Sequence, residues 1–248
     1  MKLVRRILGS VMACVLCAGA ACAAEGDVVL KEGKAFRMDS GRETLLKDCE
    51  LKQAETEAGT WSWVLIDPAQ SEDMKGAEGG VYLFRGKEAR PAGFLPVKEE
   101  ASSCRLFFSP SGEKLVLSWG MEYIQHLSCY ELEGGKGFVS KASFEAQGPA
   151  FWVDPHRFAI TSVDAAKGAR AACKFDLWWS SVVLYDSVEK ERIVIKEATA
   201  TRNYIVNGVN DGKGTLDVFE SSVKDPKDWA DESKVKDEEL SVPIPAAG

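Results

Sequence analysis

The sequence predicts an all-β protein built from about four four-stranded antiparallel units, and three observations carry that expectation. Apolar residues alternate with a period of two through most of the chain, as in Leu115 and Leu117, Phe158 and Ile160, or Tyr204 and Val206. Turn chemistry interrupts the alternation, most clearly at Ser109-Pro110-Ser111-Gly112. Strand-like segments also recur in a matching order, at a period of about forty to fifty residues, as expected of a repeat architecture.

Residues 106–119, Leu-Phe-Phe-Ser-Pro-Ser-Gly-Glu-Lys-Leu-Val-Leu-Ser-Trp, are the clearest unit. Pro110 presets φ for the turn, and Gly112 supplies a position where φ can be positive. The flanking residues Leu106, Phe108, Leu115 and Leu117 alternate as two half-buried strands require. Equivalent second strands are expected at residues 61–67, 113–119, 156–162 and 202–208. Third strands ending in an aromatic place Phe84, Tyr130, Tyr185 and Phe219 in equivalent positions, separated by 46, 55 and 34 residues. Fourth strands fall near residues 92–98, 137–143, 192–198 and 240–246, where Pro96, Pro243 and Pro245 mark edges because proline cannot donate to a ladder. First strands are expected at residues 44–51, 104–109 and 150–154. The fourth unit shows none, and residues 28–38, also strand-like, are the segment that could supply it by ring closure. Meandering sheets repeated in this way make a β-propeller-like fold, each sheet burying its faces against its neighbours. A β-sandwich of similar strands is the alternative.

The hairpin of residues 106–118 resembles the Ser-Pro-Asp-Gly-Lys hairpin of TolB-like and Trp-Asp-repeat β-propellers, with Ser111 where Asp is usual, and residues 149–162 resemble a degraded copy. The resemblance implies the fold and a tendency to bind other proteins. No catalytic residues travel with it.

The start of the chain has the layout of a secretory signal: Lys2, Arg5 and Arg6, then an uncharged stretch ending in small residues. Residues 1–24 are therefore read as a signal peptide and residues 25–248 as a single propeller-like domain. Export to the periplasm or outside the cell follows, with a lipoprotein anchored at Cys22 as the alternative. Removing three cations takes the formal charge from −7 to −10. That balance argues against nucleic acid and anionic membrane surfaces, and no later segment is apolar enough to span a bilayer. Cys49, Cys104, Cys129 and Cys173 remain, an even number in a compartment that favours disulfides; three pairings are possible, of which the register favours Cys49 with Cys104 and Cys129 with Cys173. The tail has nine acids against four bases over residues 217–239 and reads as a solvated surface, with Asp225 and Pro226 opening a short helix.

No cofactor or metal site is predicted. His126 and His156 are the two histidines; neither belongs to a metal-binding pair at helical spacing, and Asp154 beside His156 reads as turn chemistry. Without a visible nucleophile and base, the expectation is a non-enzymatic envelope protein that binds or scaffolds another protein. Seven tryptophans support a second reading, a glycan-binding module, with Trp152, Trp178, Trp179 and Trp229 as its candidate surface. The partner is an envelope protein or a polysaccharide.

Overall fold

The computed structural model describes residues 27–69, 71–97, 104–120, 125–134, 137–164 and 179–246. Among them every regular element is a β-strand or a short 3₁₀ turn. The first sheet joins β1 (Val28–Lys31), β2 (Lys34–Asp39) and β3 (Arg42–Leu45). The second joins β4 (Lys52–Thr56), β5 (Gly59–Ile66), β6 (Gly80–Arg85) and β7 (Gly93–Pro96). A seven-stranded sheet runs from β8 (Arg105–Phe108) through β9 (Lys114–Gly120), β10 (Gln125–Glu133), β11 (Gly137–Trp152), β12 (Arg157–Asp164) and β13 (Trp179–Asp186) to β14 (Glu191–Lys196). β15 (Arg202–Asn210), β16 (Thr215–Ser222) and β17 (Lys236–Pro243) close the series. Every pairing within these sheets is antiparallel and joins chain neighbours, so the protein is an all-β meander of propeller-like sheets.

The seven-stranded sheet is two four-stranded units that share one strand. β11 pairs with β10 from Gly137 to Ala146, then with β12 through Gln147, Phe151 and Trp152, and its register shifts between Gln147 and Phe151. Such a bulge bends a strand and raises its twist. The expected separate strands near residues 137–143 and 150–154 are thus one element.

Four apolar cores lie between successive units, and period two builds them. In β5, Trp61 and Trp63 point to one core while Val64 and Ile66 point to the one before it. In β9, Leu115 and Leu117 face Trp61 and Trp63, and Val116 faces the next core with Phe158 and Val183. In β13, Val183 and Tyr185 enter the third core while Val182 and Leu184 enter the fourth, opposite Tyr204, Leu216 and Val218. Strands buried on both faces are what stacked sheets require. Among the described residues, none of the four cores joins the first sheet to the last.

Several expectations need correction. Residues 28–38 do not complete the last sheet. They form β1 and β2 of a separate sheet, because Glu32-Gly33 and Ser40-Gly41 both take positive φ, the geometry of tight hairpin turns. The first strand of the second sheet is β4 and not residues 44–51, which contain the end of β3 and a turn. Phe219 is not equivalent to Phe84, Tyr130 and Tyr185: those three enter cores, whereas in β16 the inward residues are Leu216 and Val218. A one-residue slip exchanges the faces of a strand, and the outward face here carries the exposed Asp217, Asp237 and Glu239. Pro96 and Pro243 end edge strands, as their missing N–H requires.

Candidate functional site

Counted in chain order, the units are β1–β3, β4–β7, β8–β11, β11–β14 and β15–β17, and the Ser109–Gly112 turn, which joins β8 to β9, is the point where the third of these rests on the second. Ser109 Oγ accepts from the Lys114 N–H at 3.1 Å, and the Pro110 carbonyl accepts from the Glu57 N–H at 2.9 Å. Gly112 has φ +72°, and a Cβ there would lie 2.4 Å from Thr56 Oγ1 and 3.1 Å from Trp61 Nε1. Glycine is therefore required twice, by conformation and by close approach.

Lys114, one residue into the second strand, is only 5 % exposed and turns toward the fourth unit. Its Nζ donates to Ser187 Oγ at 2.7 Å and lies 3.2 Å from His156 Nδ1, while Ser187 Oγ donates to the His156 carbonyl at 2.6 Å. Residues 42 and 73 positions away thus meet on one ammonium. A buried donor needs such partners, and Lys114 makes no ion pair among the described residues. Local sequence patterns could not have found this node. Its one signal is a polar residue at an inward place of the alternation, Lys114 before Val116.

Asp154 does not face a catalytic partner. Its carboxylate accepts from the backbone N–H groups of His156 and Arg157 at 2.8 Å each and from Arg157 Nε at 2.6 Å. Burial pushes the carboxyl up, but the Arg157 hydrogen bond and the two backbone donors outweigh it and hold the group below the ordinary carboxylate range.

Two of the candidate tryptophans are tied to the fold by their indole N–H groups. Trp152 Nε1 donates to the Phe107 carbonyl and Trp229 Nε1 to the Ala200 carbonyl, both at 2.9 Å. Trp179 Nε1 is buried without a partner, and Trp178 lies outside the described residues. None of the described tryptophans is fully exposed. The thiols of Cys49, Cys104 and Cys129 are free, so the Cys49–Cys104 pairing is absent. The two thiols sit on opposite faces of the second sheet, Cys104 with Trp63 and Cys49 with Ile66. Cys129 is free in the third core, and Cys173 lies outside the described residues. Burial pushes all three thiols up, Cys49 and Cys104 to about 11 and Cys129 to about 12, so none of these three is a thiolate at neutral pH.

Three surface features remain. β14 is an edge strand, and Val188 and Val194, beside and within it, are each 55 % exposed. A cleft of about 210 Å³ between the second and third units has Trp63, Leu65 and Met74 at its floor and Asp48, Glu50 and Asp67 among its lining. Two of those carboxylates serve local structure, Asp48 accepting from Ser71 Oγ and Asp67 from the Ala69 N–H. A larger cleft of about 520 Å³ opens at the end of the last sheet. Among the described residues no group of three or more His, Cys, Asp or Glu is placed to hold a metal ion, and no helix is long and apolar enough to cross a membrane.

No protein-family model matches the chain, and no curated protein matches it. Among solved structures it is similar to one described as a putative 6-phosphogluconolactonase from Bacteroides fragilis, at 12 % identity and a TM-score of 0.39, over 87 % of this chain and 70 % of that one. That neighbour is by its description an enzyme, which runs against the expectation of a non-enzymatic chain, and that expectation is withdrawn. At such a low score the likeness carries no activity or substrate across.

Proposed function

We propose that the chain is an exported module of the cell envelope, of the TolB-like or Trp-Asp-repeat propeller kind, that binds another protein along the edge strand β14. The observation that carries this reading is the exposure of Val194 in the middle of an edge strand, with Val188 at the turn leading into it. Free edges with exposed apolar side chains are normally covered or charged. An extended segment of a partner would add a strand here, its backbone pairing with β14 and its side chains meeting Val194. The signal-like start of the chain supplies the compartment.

A photo-crosslinking residue at position 194, with a second at the exposed turn residue Lys213 as control, tests the proposal in intact cells. A single adduct with an envelope protein, formed from position 194 and not from 213, is the expected result. No adduct at 194, or equal labelling at both positions, refutes the docking edge.

A further inference from the structure

The cleft at the end of the last sheet has a charge opposite to that of the protein. In register, Arg202 of β15 pairs with Ser222 of β16, and Ser222 pairs with Lys236 of β17, so these three form one row across the sheet and share one face. A second wall comes from the 3₁₀ turns Pro226–Ala230 and Glu232–Lys234, which fold back over the sheet end. Trp229 holds that wall by its indole bond to Ala200, and the Val223 N–H donates to the Thr201 carbonyl at 3.0 Å. By charge count alone this stretch is an acidic, solvated surface. Folding separates part of these charges: Asp217, Asp237 and Glu239 face outward, Glu220 and Glu238 form the next row on the face that carries Arg202 and Lys236, and Lys224, Lys234 and Lys236 line the cleft with Arg202.

Four cations and one carboxylate line this space, on a chain of net charge −7. The carboxylate, Asp228, is taken by Lys234 at 2.6 Å. Arg202 approaches Glu220 only to 3.8 Å, and Lys224 and Lys236 make no ion pair among the described residues. Like charges gathered in one concavity repel each other and raise the local concentration of anions. An arginine fork beside lysine point charges is the donor set that oxyanions take. The volume exceeds what one simple anion fills and falls in the range of small-molecule sites.

We infer that this cleft binds a small molecule bearing two or more oxyanion groups, phosphate or carboxylate, with Lys224, Lys236 and Arg202 as its main contacts. Neither Val188 nor Val194 belongs to the cleft, so this site and the β14 edge stand or fall separately.

Calorimetric titration of the full chain with tripolyphosphate and, in a parallel arm, with citrate tests the inference at about 0.15 M salt, where charges more than about 8 Å apart are screened. Binding at or below about 1 mM is expected for at least one probe, and the tighter arm tells phosphate from carboxylate. The double variant K224E/K236E should weaken binding at least about tenfold. The control K34E/K213E makes the same change of net charge at exposed lysines elsewhere and should leave affinity within about twofold, the screening expected of distant charges. Amide chemical-shift mapping of the unmodified protein provides a readout that needs no variant, and Lys224, Ser233 and Lys236 should move first. Absence of binding to both probes, equal weakening by the control, or shifts centred elsewhere would overturn the site.

Discussion

The joints on either side of the third unit are built from different materials. On one side the second and third units meet through aromatic packing: Trp61 stacks on Phe108 with ring centroids 5.6 Å apart and tilts against Phe138 at 5.3 Å, and the Gly112 turn presses onto Thr56 and Trp61. On the other side β11 runs without a break into the fourth unit, and the contact adds polar bridges, Lys114 to Ser187 and Trp152 to the Phe107 carbonyl. A joint crossed by no paired strand depends on close fit, where a single methyl matters. A joint crossed by a continuous ladder keeps its hydrogen bonds when one side chain is lost.

That contrast can be broken by substitution. Gly112→Ala should be the most damaging, at about 2–4 kcal/mol, because the new Cβ meets both a left-handed backbone and a packed neighbour. Chemical denaturation reads this directly, and a loss below that of any Lys114 variant would show that the aromatic joint is not the sensitive one. Lys114→Ala should follow at about 2–3 kcal/mol, through lost hydrogen bonds from a charged donor and a lost apolar stem. Lys114→Met keeps the stem and relieves a desolvated charge, so about 1 kcal/mol or less is expected, and an equal loss in both variants would make the polar node the dominant part.

The smallest effect concerns pH. Because the folded-state value of Asp154 is depressed, its contribution is fully present above the ordinary carboxylate pKa of about 4 and is lost as pH falls through the lower, folded value. Asp154 is partly open to solvent, so the contribution is well under about 1 kcal/mol. Thermal melting should show wild type losing slightly more stability than Asp154→Asn between pH 4 and pH 2. Parallel curves would mean that the Arg157 pair adds nothing.

Much of the architecture was legible because two-sided burial writes itself into adjacent residues. Leu115, Val116 and Leu117 alternate between two cores, and Pro110 and Gly112 announce the turn that precedes them. Two features were hidden for opposite reasons. The fusion of two expected strands into β11 depends on pairing partners on both sides of the bulge, which no local signal in residues 137–152 declares. Phe219 followed the local pattern yet faces outward, since which face of β16 is buried is decided by having a neighbour on one side only. The Lys114 node and the cationic cleft were hidden for different reasons: the node joins polar groups 42 and 73 positions apart, and the cleft's lysines are interspersed along the chain with acids, so a charge count averages them away.

The single strand shared by the third and fourth units also bears on how the protein forms. Neither unit can complete its outer ladder until β11 is in place, and placing β11 commits both. The smallest stretch that gains or loses order together is therefore longer than the repeat, some ninety residues from β8 to β14 by the reasoning applied to cooperative foldons. The short hairpins of β1 to β3, with four residue pairs apiece, have no such commitment and can open by themselves.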